Sequence, residues 1–445
     1  MRPKSPLLLA YYGDDFTGST DVLEALAHAG IRTRLFLEPP APDQLRRFPE
    51  LQGFGIAGGS RMFSPDEMAE RLPPAFRALH ASGAPLLHYK ICSTFDSSPT
   101  VGSIGKAIEL GREVFGEHPT PLVVSAPTLG RYLAFGNLFA RSGLDSEPFR
   151  LDRHPTMQRH PVTPMHESDL RLILAEQTSL PVHLINVLQL SSALPDFGQG
   201  TPPIVLFDTV ESRHLIQVGE HVLSLASTHQ PLFCVGSSGL EYALLAAWRE
   251  RGELPPAPPA PQVSKPAQIL VVSGSCSPVT ERQLNHALQQ GYVEVPLNLE
   301  RFRDPATESA ERARVLSEVR REAQAGNSPV VATRRGNTAP QLELNGTTRT
   351  DFTRRMCQLL AEVVDTWLQT VDSRRVMVCG GDTSTEVARA LGIESLEYLR
   401  PVAPGSPLCR VCAPGRPADR CEFVFKGGQV GRDGLFSDLF DLGRS

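Results

Sequence analysis

The sequence predicts an α/β protein of two domains, each built on a mostly parallel sheet, with its active site in the interdomain cleft. Three observations carry that expectation. The chain has 445 residues, beyond the size at which one hydrophobic core stops growing. Short apolar runs alternate with amphipathic helical patterns in both halves, the rhythm of strands and helices that wind a parallel sheet. Five prolines crowd residues 255–261, where their fixed φ makes an extended, semi-rigid linker. The expected division is residues 1–254, a linker over 255–267, and residues 268–445. A cleft between two such domains is a common place for a ligand.

Composition narrows the function classes. The chain is 41% hydrophobic and 21% charged, ordinary for a globular protein. A net charge of -5 with both signs interspersed provides no basic face for nucleic acid or an anionic membrane. No stretch approaches the roughly 18–20 apolar residues of a membrane span, and "PLLLAYY" is too short for a signal segment. Eight scattered cysteines fit a reducing cytoplasm better than a disulfide framework.

In the first half the expected strands are "PLLLAYY" (6–12), "IRTRLFL" (31–37), "LQGFGIAG" (51–58), "PLLHYKI" (85–91), "PLVVSAP" (121–127) and "PIVLFDT" (203–209). Between the first two, "DVLEALAHAG" reads as a helix with Ser19 or Thr20 as N-cap and Gly30 as its stop. "PDEMAERLPPAFRALH" (65–80) is a second helix, and another starts near Gly102. Beyond the linker, "AQILVVSG" (267–274), "SPVVATRR" (328–335), "RRVMVCGG" (374–381) and "CEFVFKGG" (421–428) read as strands. The long periodic patterns over 306–324 and 348–369 read as helices.

Ligands of open α/β sheets bind beyond the carboxyl ends of strands, beside helix N-termini. "GDDFTGSTD" (13–21) puts Asp14 and Asp15 at such a strand mouth, with Gly13 and Gly18 around the turn. Acids there can hold sugar hydroxyls, take a proton from an attacking hydroxyl, or bind Mg²⁺ through water. Consecutive residues leaving a strand point to opposite sides, so the expectation is a division of work: Asp15 as base or hydroxyl orienter, Asp14 as hydroxyl holder. In "YKICSTFDSSPTVGSIG" (89–105), Lys90 ends a strand and Ser93, Thr94 and Asp96 follow it. A lysine beside hydroxyls and free amides suits an anion. Arg61, at another strand end, is suited to gripping a carboxylate bidentately.

The second half repeats the plan. "SGSCSPVT" (273–280) offers Ser273, Ser275 and Ser277 in a small-residue loop before a helix. "GGDTS" (380–384) offers Gly380, Gly381, Asp382, Thr383 and Ser384, and "KGGQVG" (426–431) adds Gly427 and Gly428. No G-K-[ST] follows, so this is not a P-loop, but several such loops in one domain favour a nucleotide-phosphate site.

Other chemistries find less support. No G-x-S-x-G or H-E-x-x-H motif is present. Cys409, Cys412 and Cys421 in "CRVCAPGRPADRC" lack a fourth zinc ligand at any usual spacing and read as isolated thiols in a Pro/Gly-rich loop. The prolines around His154, His160 and His166 keep them off one helix face, leaving a surface or substrate loop rather than a metal centre.

"GDDFTGSTD", "YKICSTFDSSPTVGSIG", "HPVTPM", "SGSCSPVT", "GGDTS" and "KGGQVG" follow one another in the order found in the four-carbon acid sugar kinases, which the chain resembles across nearly its whole length. The resemblance implies an acid-sugar-binding N-terminal domain and a nucleotide-binding C-terminal domain. It implies transfer of a phosphoryl group from ATP, with Mg²⁺, to a terminal hydroxyl. The "CSTFDS" form is similar to the branch acting on 3-oxo acids, the 3-oxo-tetronate kinases, with 3-oxo-isoapionate or threonate and erythronate as alternative substrates. Asp14, Asp15, Arg61, Lys90 and the hydroxyl loop would serve the sugar acid. Ser273 to Ser277, Gly380 to Ser384 and Gly427–Gly428 would serve ATP. The chain departs from the family pattern at Tyr11–Tyr12–Gly13, at Asp382 and in "KGGQVG". The rival class is a binding or sensor protein that keeps the pockets without catalysis.

Overall fold

The computed structural model describes residues 7–143, 146–160, 162–198, 200–254, 259, 261–333 and 349–443. Residues 255–258 and 260 of the expected linker lie outside the described residues, as do Pro6, Pro161, Arg334, Arg335 and Thr348 of expected elements or motifs. The chain separates into two compact units, Met1–Pro258 and Pro259–Ser445.

The first unit begins β1 (Leu9–Gly13), α1 (Phe16–His28), β2 (Thr33–Phe36), α2 (Pro42–Arg46), β3 (Gly53–Ala57), α3 (Pro65–Ala81), β4 (Leu86–Lys90), α4 (Ile104–Phe115) and β5 (Thr120–Val123). A small antiparallel sheet of β6 (Arg131–Ala134), β7 (Asn137–Arg141) and β8 (Pro148–Arg150) comes next. The unit closes with α5 (Leu170–Ala175), β9 (Val182–Ile185), β10 (Ile204–Phe207), α6 (Ser212–Thr228), β11 (Leu232–Gly236) and α7 (Gly239–Glu250). Its main sheet runs β2–β3–β1–β4–β11–β5–β10–β9, all parallel. Helices α3 and α4 pack together, as do α6 and α7, with α1 against α7.

The order decides where a ligand can sit. The chain leaves β1 toward β2 on one side and leaves β4 toward β5 on the other, so the neighbours β1 and β4 form the switch point at which a crevice opens. Gly13 is level with Lys90, and Lys90 with Gly236.

Tyr11 and Tyr12 of β1 take up space left by glycines in and just after β3. A Cβ on Gly55 would lie 2.1 Å from the Tyr11 ring, and one on Gly58 2.1 Å from that of Tyr12. The Tyr11 hydroxyl donates to the Ser19 carbonyl at 2.9 Å, while Tyr12 stacks on Tyr89 with centroids 5.9 Å apart. Phe76, Phe115 and Phe233 extend this aromatic core, each burial being worth about 1.5–3 kcal/mol.

The second unit contains β12 (Leu270–Ser273), α8 (Pro278–Gln289), β13 (Val293–Glu294), α9 (Leu299–Arg303), α10 (Pro305–Gln324), β14 (Pro329–Ala332), α11 (Arg349–Thr370), β15 (Arg375–Cys379), α12 (Gly381–Ala390), β16 (Ser395–Ala403), β17 (Ser406–Cys412), β18 (Glu422–Lys426) and α13 (Leu435–Asp441). Strand order is β13–β14–β12–β15–β18–β17–β16, parallel except where β17 meets its two neighbours. Here β12 leads toward β13 and β15 toward β16, so their shared boundary is again a switch point.

Three local expectations are corrected. The N-cap of α1 is Asp15, whose side chain accepts from the Gly18 amide, and the helix starts at Phe16 rather than beyond Ser19. Cys409 and Cys412 lie in strand β17, not in a loop; three residues apart in a strand, they face opposite sides. His154 is buried, and its Nδ1 accepts from the Thr156 and Met157 amides, so it braces a turn instead of lining an open loop.

Candidate active site

At the first switch point the Asp14 amide donates to the Lys90 carbonyl at 2.9 Å, and the Arg61 amide donates to the Asp14 carbonyl at 3.0 Å. Three segments distant in sequence thus meet around two adjacent acids. Gly13 and Gly18 are required by this packing: a Cβ on Gly13 would lie 1.9 Å from Ser19 Oγ, and one on Gly18 2.4 Å from Asp15 Oδ1.

Arg61 holds both acids. Its Nε donates to Asp14 Oδ2 at 3.1 Å, and its Nη2 to Asp14 Oδ1 and to Asp15 Oδ1, each at 2.7 Å. The acids therefore converge on one guanidinium, because the chain turns into α1 at Asp15 instead of continuing the strand. Asp15 also accepts from Thr17 Oγ1 at 2.6 Å and from the Gly18 amide at 2.9 Å. The two carboxyls end up unlike. Burial pushes Asp14 above its ordinary value, the Asp15 charge adding to the effect and Arg61 opposing it. Burial works in the same direction on Asp15, but the Arg61 charge and the bonds from Thr17 and Gly18 outweigh it and hold Asp15 low.

Lys90 is buried, with Nζ donating to the Ile91 carbonyl at 3.0 Å and lying 3.9 Å from Asp21 Oδ2. Asp21 was not singled out from the sequence, although it sits one helical turn beyond Thr17 in the same motif, a spacing that shares a face. Below Lys90, His88 is held between Glu241 Oε1 at 2.6 Å and the Gly236 carbonyl at 3.0 Å, tying β4 to α7 and β11.

The hydroxyl loop is shaped by strain. Phe95 is buried at φ 59°, a left-handed conformation costly for a bulky side chain. It folds the loop back so that Thr94 Oγ1 donates to Asp96 Oδ1 at 2.7 Å, with Cys92 Sγ 2.9 Å from the same hydroxyl. Burial, then the Asp96 charge, pushes the Cys92 thiol up to about 11, so it is a neutral wall and not a nucleophile. Ser93 precedes the bend, and Gly102, at φ 61°, lets the loop pass the Arg61 carbonyl, which a Cβ would meet at 2.5 Å.

In the second unit the switch-point loops interlock without large side chains. The Gly274 amide donates to the Cys379 carbonyl and the Gly380 amide to that of Lys426. A Cβ on Gly274 would lie 2.1 Å from Thr383 Oγ1, and one on Gly428 2.8 Å from Ser275 Oγ. Hydroxyls brace the backbone: Ser273 Oγ accepts from the Ser275 amide, Ser275 Oγ from the Ser277 amide, and Ser277 caps α8 through the Val279 amide. Gly381 begins α12 with open space around its Cβ position, Asp382 is exposed, and Ser384 Oγ is buried with no partner among the described residues. Gly427 accepts through its carbonyl from Lys426 Nζ at 3.0 Å. Lys426 itself escaped the sequence reading. It is fully buried, and Nζ also donates to Thr280 Oγ1 at 2.9 Å.

Comparison with known proteins bears on both units. Residues 9–244 match the model of a sugar-binding N-terminal domain, and residues 270–436 that of a nucleotide-binding C-terminal domain. The chain belongs to the four-carbon acid sugar kinase family. It is a sugar-acid kinase by that membership. The 3-oxo-isoapionate kinase of Paraburkholderia graminis is 44% identical over 98% of this chain and 95% of that protein. The 3-oxo-tetronate kinases of Pseudomonas fluorescens and Pectobacterium atrosepticum are 29% and 27% identical, over 97% and 96% of this chain and 96% and 97% of those proteins. Two solved structures share the fold: a candidate tRNA synthase from Salmonella typhimurium LT2, with a TM-score of 0.77 at 21% identity over 97% of this chain and 98% of that one, and a Haemophilus influenzae protein, with 0.71 at 20% over 98% and 100%. In this family frame the residues anticipated for the sugar acid lie at the switch-point edge of the first unit and those anticipated for the nucleotide at that of the second. Among the described residues no helix is long and apolar enough to cross a membrane.

Proposed function

We propose that the chain transfers the γ-phosphoryl group of ATP to the terminal hydroxyl of a short 3-oxo sugar acid. The observation that carries this reading is the unequal acid pair: a buried Asp14 with a raised carboxyl beside an Asp15 that is fully engaged as a helix cap. A group accepting a proton from a hydroxyl works best when its pKa is lifted toward the working pH. Asp14 therefore takes the base or orienting role first assigned to Asp15, while Asp15 holds Arg61 and the α1 N-terminus in place. Lys90, Ser93, Thr94 and Asp96 border the substrate.

On the nucleotide side, the amides of Gly381 and Asp382, which open α12, and the glycine loop at Gly427–Gly428 would receive phosphate oxygens, as small-residue loops at helix N-termini do. The Ser275 and Gly380 amides shape the loops through Ser273 Oγ and the Lys426 carbonyl. The exposed Asp382, at the start of α12, would hold Mg²⁺, which takes one or two carboxylates together with phosphates. When bound, Mg²⁺ offsets phosphate charge.

Two acids lead: 3-oxo-tetronate, which several relatives at 27–29% identity are named for, and 3-oxo-isoapionate, named for the relative at 44%. Purified enzyme with ATP and Mg²⁺ should convert one of them to a phosphomonoester on the terminal carbon, seen by ³¹P NMR, with kcat/KM ranking the two above threonate and erythronate. ATP consumption with none of these acids would sink the proposal.

A further inference from the structure

Arg61 was expected to grip the substrate carboxylate, but its Nε and Nη2, the edge suited to a two-point grip, are taken by Asp14 and Asp15, so a bidentate grip calls for a second arginine. A second arginine is built for it. Arg131 opens β6, after a tight turn in which Gly130 adopts φ 70° and the Ala126 and Arg131 amides bond each other's carbonyls. Its Nη1 donates to three backbone carbonyls, those of Leu129 at 2.9 Å, Gly130 at 3.4 Å and Arg141 at 3.3 Å. That fixes the guanidinium plane. Among the described residues its Nε is buried without a partner and no acid pairs with Arg131. The Nε–Nη2 edge is left unpartnered among the described residues, and this is the edge that meets a carboxylate with two parallel bonds.

Position agrees. The turn carrying Arg131 follows β5, whose Val123 is level with Gly236, itself level with Lys90. It therefore rises from the same sheet edge as the acid pair, with β4 and β5 about 10 Å apart across β11. Asp96 of the hydroxyl loop is near enough to act on its charge. A half-buried guanidinium with no anion bonded to it is costly unless one arrives.

We propose that Arg131 binds the carboxylate of the sugar acid through Nε and Nη2, presenting the other end of the molecule to Asp14. The assignment rests on the reading of this unit as a sugar-acid site. It is tested by steady-state kinetics with 3-oxo-isoapionate and 3-oxo-tetronate on wild type, Arg131→Met and Arg131→Lys, with folding followed by circular dichroism. Removing a two-point charged contact should raise the sugar-acid KM about 10²-fold, with the ATP KM within about 2-fold of wild type. Arg131→Lys keeps the charge but not the fork and should raise KM about 10-fold; it decides the matter if Arg131→Met does not fold. Added guanidinium should restore part of the loss in Arg131→Met. A working wild-type kinase whose sugar-acid KM is unmoved in both variants overturns the assignment alone. A wild type that phosphorylates no short sugar acid overturns the reading of the site and this assignment with it.

Discussion

Arg61 meets Asp14 at two points, Nε to Oδ2 at 3.1 Å and Nη2 to Oδ1 at 2.7 Å, and this pair sets the charge balance of the sugar-side site. Removing the arginine strands a buried carboxylate, a loss typically of about 3–5 kcal/mol. Arg61→Ala should lower both stability and kcat, unlike a simple carboxylate grip, whose loss acts on KM. Urea denaturation of Arg61→Ala, Asp14→Asn and the double variant gives the coupling. If Asp14→Asn restores none of the stability lost in Arg61→Ala, the pair is not the unit described here.

The two acids should respond oppositely to neutralisation. Asp14 is raised above its ordinary 3.8 by burial, so its ionised form costs stability once pH rises through that folded value. Asp15 is held below 3.8 by Arg61, Thr17 and Gly18 despite burial, so its contribution is present above 3.8 and is lost as pH falls through its folded value. At pH 7, Asp14→Asn should raise the urea midpoint while abolishing turnover, and Asp15→Asn should lower the midpoint. In wild type the acid limb of kcat/KM should lie above the ordinary aspartate range and move further up in Arg61→Gln. A limb at the ordinary value, unmoved in Arg61→Gln, would remove Asp14 from the base role.

Much of this site was legible because its signals are local. Paired acids between glycines, and hydroxyl-rich loops between strand and helix patterns, mark switch-point loops without a structure. The cap of α1 was misjudged because Ser19 and Thr20 are good caps in isolation, whereas Asp15 gains Thr17, Gly18 and Arg61 together. Pairings across distance leave no local trace: Arg61 is 47 residues from Asp14 and His88 153 from Glu241. The pair β16–β17 was missed because cysteine, proline and glycine crowd a segment whose strand character comes from its antiparallel partners. Arg131 carries no motif; only the carbonyls that use up Nη1 show which edge remains.

The fit of Tyr11 against Gly55 should appear as a rescue. Every atom a Cβ on Gly55 would strike first belongs to the Tyr11 ring, and overpacking a tight core typically costs about 1–3 kcal/mol. Gly55→Ala should lower Tm by several degrees, and Gly55→Ala with Tyr11→Leu should lie above the sum of the single losses. Strict additivity would mean that the strain is relieved elsewhere.

Neighbouring glycines in unit two should separate conformation from ligand. Gly380 has φ 115° and a Cβ there would lie 2.9 Å from Thr383 Oγ1, so Gly380→Ala should destabilise the unit. Gly381 has open space and an ordinary φ, so Gly381→Leu should fold with wild-type Tm yet raise the ATP KM at least about 10-fold, leaving the sugar-acid KM nearly unchanged. Wild-type ATP kinetics in Gly381→Leu would take the α12 loop out of the nucleotide site.

Lys426 offers the sharpest contrast between stability and function. Among the described residues its Nζ donates only to neutral oxygens, Thr280 Oγ1 at 2.9 Å and the Gly427 carbonyl at 3.0 Å, and Thr280 in turn donates to the Gly428 carbonyl. Burial lowers the pKa of this ammonium, so its charged form is disfavoured by the fold. With the folded value below the unfolded one, the folded state loses its proton first as pH rises, and stability is gained across that interval. A charge kept under such a penalty beside three glycine loops fits a partner that arrives with the nucleotide. Lys426→Met, similar in length and uncharged, should match or exceed the wild-type Tm at pH 7, with any advantage shrinking in alkali. The same variant should raise the ATP KM by about 10-fold or more and leave the sugar-acid KM within about 2-fold. A lower Tm together with unchanged ATP kinetics would instead make Lys426 a strut between β18 and α8, with no part in nucleotide binding.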